Sequence, residues 1–64
     1  MTKEKESKLL TVQQLSQLLN VPESWIYERT RQGQKAIPFI KLGAYVRFDA
    51  EEVINFFKLR QNEV

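Results

Sequence analysis

The sequence predicts a single small α+β domain in the order helix, helix, β-hairpin, helix. Three observations point to it. Apolar residues recur at helical spacing before residue 33 and again after residue 49, whereas residues 37–48 alternate apolar and basic around Gly43-Ala44. Pro22, Gly33 and Asp49 stand where helices begin or end. The length agrees, since 64 residues make one domain that buries only about 60% of its unfolded surface.

Residues 1–8 alternate Lys and Glu without an apolar partner and are expected to form a solvated tail. The domain proper is placed at 9–60, and a frayed terminus at 61–64. Thr11 and Gln14 have the spacing of a capping box, in which hydroxyl and amide satisfy backbone N–H groups reciprocally. Val12, Leu15, Leu18 and Leu19 follow as one apolar stripe. Asn20 is suited to a left-handed stop, so the first helix is expected at about 12–19. Pro22 is tolerated only in a first helical turn, and Glu23 complements the positive end of a helix dipole. A second helix is therefore expected from Pro22 or Glu23 to Gln32, ended by Gly33. With Ile26 and Thr30 inward, Ser24, Glu28 and Arg31 point outward, and Trp25 and Tyr27 occupy the two flanks.

Ile40 and Leu42 alternate with Lys41, and Val46 and Phe48 with Arg47, which is a hairpin signal. Two registers compete. A two-residue Gly-Ala loop of type II′ pairs Leu42 with Tyr45. A three-residue loop pairs Leu42 with Val46 and Ile40 with Phe48, leaving Lys41 beside Arg47 on the opposite face. Burial sets register wherever one face is covered, and it favours the second. Asp49 with Glu52 then caps a third helix carrying Val53, Phe56, Phe57 and Arg60. Leu15, Ile26, Val46 and Phe56 are expected to meet in one core.

The inventory of reactive groups is short. The chain has no cysteine and no histidine, which removes disulfides, thiolate metal sites, the usual zinc ligand and the usual general base. Ser, Thr and Tyr lack any clustered partner to activate them, and no Gly-rich phosphate loop is present. A binding module without cofactor, metal or catalytic residue is expected. No stretch approaches the roughly 20 apolar residues of a membrane span, and the first eight residues lead into no apolar leader segment, so the expected location is the cytoplasm.

Net charge is only +2, yet it is segregated. Between Arg29 and Phe48 lie five basic residues and no acidic one, leaving five basic and eight acidic residues elsewhere. One positive surface on a nearly neutral molecule suits a polyanionic partner; the plain alternative is a solvated stretch that happens to lack acids.

Two short helices joined by a tight turn, the second with outward polar groups, form a helix-turn-helix arrangement, and the basic hairpin after them would be its wing. The run Leu10-Thr11-Val12-Gln13-Gln14-Leu15-Ser16-Gln17-Leu18-Leu19-Asn20-Val21 resembles the opening of the small excisionase-type helix-turn-helix family, related to MerR-like winged domains. The likeness continues through Ser24-Trp25-Ile26-Tyr27, Gly33, Pro38, Gly43 and Val46-Arg47-Phe48-Asp49, and covers nearly everything from residue 10 to 60. The chain departs from the family pattern at Ser16 (commonly Ala), Pro22 (usually a capping Ser), Phe56 (often Trp) and Trp25 (usually small and polar), and its 34–37 link is longer.

The resemblance implies a winged helix-turn-helix that binds double-stranded DNA. It would act as a recombination directionality factor of a mobile element, with an integrase as partner, or as a small transcriptional regulator. With no long dimerisation helix after the third helix, a monomer that cooperates on adjacent DNA sites is expected. The rival is a protein-interaction adaptor that keeps the fold without binding DNA.

Candidate contacts on the recognition helix are Ser24, Trp25, Tyr27, Glu28 and Arg31. Ser24 and Glu28 suit base edges, Glu as acceptor from cytosine N4, and Arg31 suits guanine or phosphate. By the resemblance, Tyr27 falls at a family position that is similar to a phosphate-contacting one; its plain alternative is packing on the wing. For Glu28 and Arg31 the alternative is a solvated surface. For Lys41, Tyr45 and Arg47, in or beside the wing turn, the resemblance implies minor-groove or backbone contacts, with Lys35 a generic phosphate contact at the flank. A charged hairpin also guards against edge-to-edge aggregation. Arg29 and Arg60 are read as covering apolar surface with their stems.

Overall fold

Four of the helix ends are closed by a particular side chain or backbone conformation. The structure is a computed structural model that describes residues 9–61; the expected tail 1–8 and residues 62–64 lie outside the described residues. The element order is β1 (Leu9–Leu10), α1 (Val12–Leu19), α2 (Glu23–Gln32), β2 (Ile40–Leu42), β3 (Tyr45–Asp49) and α3 (Ala50–Gln61). Thr11 and Gln14 make both halves of the capping box ahead of α1, at 3.1 and 3.0 Å. Asn20 ends that helix at φ 60°, ψ 48° and donates its N–H to the Ser16 carbonyl. Gly33 closes α2 at φ 102°, and the Glu52 N–H donates to Asp49 Oδ1 at 3.2 Å to start α3. Pro22 precedes α2 without a side-chain cap, so Glu23 in its first turn and Arg29 and Arg31 in its last supply the favourable dipole charges.

The three strands form an antiparallel sheet in the order β1-β3-β2. The strand β1 is a feature that periodicity does not reveal, because two residues are too few to show alternation. It pairs Leu9 with Asp49 and Leu10 with Phe48.

The hairpin adopts the two-residue register, pairing Ile40 with Arg47, Lys41 with Val46 and Leu42 with Tyr45. This overturns the expectation of a three-residue loop. Gly43 takes φ +62° and Ala44 does not follow it into positive φ, as a II′-type loop requires. Burial failed as a guide because Ile40 and Leu42 are not the apolar residues that fill the core. Leu42 is exposed, and Ile37, in the link before β2, is fully buried in their place. That link is itself built. The Ala36 and Ile37 N–H groups donate to the Gly33 carbonyl, and the Gln34 amide exchanges hydrogen bonds of 2.9 and 3.1 Å with the Phe39 backbone.

The core is Leu15, Ile26, Ile37, Phe48 and Val53, each with no exposed surface. Burying each contributes about 1.5–3 kcal/mol before chain entropy is counted. Two of the four expected core residues are corrected here. Val46 is only partly buried, and Phe48 is the strand residue that fills the centre. On α3 it is Phe57 that packs against the core; Phe56 stands edge-on to it, centroids 5.0 Å apart, with the Arg60 guanidinium 4.4 Å from its own ring. Val53 and Phe57 are four residues apart and so line one face of the helix. Among the described residues, no helix is long and apolar enough to cross a membrane.

Candidate nucleic-acid interface

Helix α2 presents four different faces, and its sequence sets each one. Ile26 points to the core. On the side away from it, Ser24, Glu28 and Arg31 lie at i, i+4 and i+7 and form one exposed polar ridge. Along that ridge an Arg31 guanidinium N–H donates to the Glu28 carboxylate. Tyr27 and Trp25 flank the ridge on opposite sides.

The Tyr27 flank is open. Tyr27, with Glu23, lines a cleft of about 470 Å³ whose other walls are Thr11, Val12 and Gln13 at the start of α1 and Ala44–Arg47 of the hairpin. Tyr27 and Tyr45 are 54% and 64% exposed, so both hydroxyls reach solvent. Arg47 follows Tyr45 by two residues on the same face of β3; its guanidinium lies 5.4 Å from the Tyr45 ring centre and donates to the Val46 carbonyl at 2.9 Å. Because β1 pairs only with residues 48 and 49, this cleft runs along the part of β3 that β1 leaves uncovered.

The Trp25 flank is packed more tightly against the rest of the fold, although it too borders a cleft, of about 520 Å³, lined by Pro22, Ser24, Trp25, Glu28, Arg29 and Gln32. Trp25 is half-buried, its ring 5.7 Å from that of Phe57, and the Arg29 guanidinium lies 4.4 Å over the indole and 5.4 Å from Phe57. Arg29 Nη1 also donates to the Ala36 carbonyl at 3.4 Å. As read from the sequence, Arg29 covers apolar surface, and Arg60 does so too, over Phe56, while donating to the Lys35 carbonyl.

The structure thus brings Tyr27, Tyr45 and Arg47 together in one cleft and lines Ser24, Glu28 and Arg31 along the neighbouring ridge. Trp25 packs against Phe57 of α3 with one side of its ring and lines a second cleft together with Ser24 and Glu28. Lys35 and Lys41 are exposed and stand apart from the cleft. Lys41 pairs with Val46 and so projects to the opposite face of the hairpin from Arg47, whereas the expected register would have set them side by side. Sequence reasoning missed Gln13 and the edge of Thr11 as cleft walls. Thr11 had already been assigned to capping, and nothing in the spacing shows that β1 stops short of Arg47. Among the described residues, no group of three or more carboxylates is placed to hold a metal ion.

A family model described as a helix-turn-helix domain matches residues 9–60, which is nearly all of the described structure. No curated protein and no solved structure matches the chain.

Proposed function

Because this chain belongs to the helix-turn-helix domain family, a family of DNA-binding domains, we propose that it binds double-stranded DNA sequence-specifically, with α2 in the major groove and the β2–β3 hairpin as a wing against the backbone. The observation that carries this reading is the convergence of Tyr27, Tyr45 and Arg47 on one open cleft beside the polar ridge of α2. A duplex needs both parts: cations and hydroxyl donors to hold phosphates, and polar side chains to reach base edges.

In this reading Ser24, Glu28 and Arg31 meet bases, and Tyr27, Tyr45 and Arg47 hold one phosphate strand. Lys35 adds a flanking phosphate contact. Lys41 reaches backbone only from the far side of the wing. Trp25 serves the interface by fixing α2 against α3 rather than by touching a base. The resemblance to excisionase-type proteins supports a finer role as a cytoplasmic recombination directionality factor of a mobile element, acting with an integrase, or as a small transcriptional regulator. In either role the chain is a monomer that cooperates on adjacent DNA sites.

The deciding experiment measures binding to a pool of random duplexes across a salt series. Two to three cations on phosphates, Arg47 and Lys35 with Lys41 at the far side, give log K against log salt a slope of about −1.8 to −2.7. Loss of all duplex binding at low salt, or a flat slope, would point instead to a protein-interaction adaptor.

A further inference from the structure

The exposed ridge of α2 is electrically neutral, which is unusual for a surface that is to enter a polyanion. Its one cation, Arg31, is paired with its one carboxylate, Glu28, and the other arginine of the helix is laid over Trp25 and Phe57. The general attraction to phosphate must therefore come from the wing and its flanks, and α2 contributes little to it. A carboxylate on such a ridge weakens binding to every duplex through repulsion from phosphates, unless something in the groove satisfies it.

The pair is exposed, with 75% of the Arg31 and 57% of the Glu28 side-chain surface open to solvent, so its own stability is within about 1 kcal/mol of zero. What matters is its shape. One guanidinium N–H donates to one Glu28 oxygen, which leaves the remaining guanidinium donors and the second carboxylate oxygen to other partners on a pair of exposed side chains. The unit presents donors beside an acceptor. In the major groove a G·C pair shows two acceptors, N7 and O6 of guanine, followed by a donor, N4 of cytosine. An A·T pair shows acceptor, donor, acceptor and a methyl group, which this order does not fit.

Resting on the DNA-binding reading above, we propose that Glu28 and Arg31 act as a single reader of one G·C pair, in which Glu28 is the specificity-determining residue. It lowers affinity for duplexes in general and gives up that penalty only where a cytosine amino group meets it. Arg31, held by Glu28, is thereby kept from becoming an indiscriminate phosphate contact.

The test is selection from a random duplex pool with the wild-type chain, Glu28→Gln, Arg31→Gln and the double variant, each first shown to keep the wild-type thermal midpoint. The wild type should enrich one G·C position by about 5- to 150-fold over A·T, the range of one good bidentate contact. Glu28→Gln should lose that position or move it to A·T, since Gln suits adenine. It should also bind unselected duplexes several-fold tighter and steepen the salt slope by about 0.9, as Arg31 turns to a phosphate. Arg31→Gln should lose the same position, and the double variant should lose no further discrimination at it, which is the signature of one coupled unit. If Glu28→Gln keeps the enriched position and the bulk affinity, or weakens all duplexes alike, the paired reader is refuted while DNA binding stands. If the wild type retains no duplex at all, both readings fall.

Discussion

The two flanks of α2 carry the same kinds of side chain and do opposite things with them. On one, an arginine lies over an indole and a phenyl ring, its guanidinium 4.4 Å from Trp25 and bonded to a backbone carbonyl. On the other, an arginine lies 5.4 Å from a tyrosine ring, beside a second tyrosine, in an open cleft. Aromatic and cationic residues therefore do not mark a binding surface by type. The difference is coverage. Phe57 of α3 and the Ala36 carbonyl of the 33–39 link engage Trp25 and Arg29 and leave only their outer side on a cleft, whereas β1 stops before it reaches Tyr45 and Arg47. The Trp25 flank ties α2 to α3 through its rings, and the Tyr27 flank makes no such tie.

Removing the layer beneath both flanks should erase the comparison. Leu15 is fully buried under α2, and Leu15→Ala should cost about 2–5 kcal/mol. A core of this size supplies only about 3–5 kcal/mol in total, so most of the chain should unfold at room temperature and duplex binding should go with it. Circular dichroism with a thermal scan checks this, and a melt like that of the wild type would show that the core is not centred on Leu15.

Single arginine deletions should separate the flanks. Arg29→Ala should lower stability by about 0.5–2 kcal/mol, the range of a partly desolvated cation–π contact, and leave the salt slope of duplex binding unchanged. Arg47→Ala should leave the thermal midpoint in place, weaken all sequences alike and make the slope shallower by about one. Thermal melts and salt titrations on the two variants give four numbers. A shallower slope for Arg29→Ala, or a clear loss of midpoint for Arg47→Ala, would exchange the roles of the two flanks.

The helices were legible in the sequence because their signals are local: the Thr11–Gln14 box, the Asn20 and Gly33 stops and the Asp49 cap each act within four residues. The outward ridge Ser24–Glu28–Arg31 followed from helical spacing alone. The features that were not legible depend on contacts distant in sequence. Ile37 looks like linker until the Gly33 turn folds it inward. The choice between Phe56 and Phe57 is made by where Trp25 lies, and the open cleft exists because β1 pairs with only two residues of β3. The hairpin register is the sharpest case. Local turn chemistry and the expected burial pointed opposite ways, and the turn prevailed because the apolar volume came from Ile37 instead of Leu42.

That register leads to the smallest expected effect. Had Leu42 paired with Val46, Lys41 and Arg47 would leave one face together and straddle one phosphate strand, and their substitutions would couple. With Lys41 opposite Val46 and Arg47 opposite Ile40, the two cations leave opposite faces of the hairpin. The Arg47 face carries Tyr45 and joins the cleft with Tyr27; Lys41 is exposed and lines no part of that cleft. Lys41→Ala should therefore weaken binding less than Arg47→Ala does, and by an amount that disappears first as salt rises, since a cation without a fixed phosphate partner contributes only through screened, long-range attraction. The double variant should equal the sum of the single ones within about 0.3–0.5 kcal/mol, as sites without a shared partner do. Salt titrations of the three variants on one selected duplex measure it. A coupling well beyond that margin would mean that both side chains reach the same strand, and the wing would then have to enter the DNA tip-first, with both of its faces in contact.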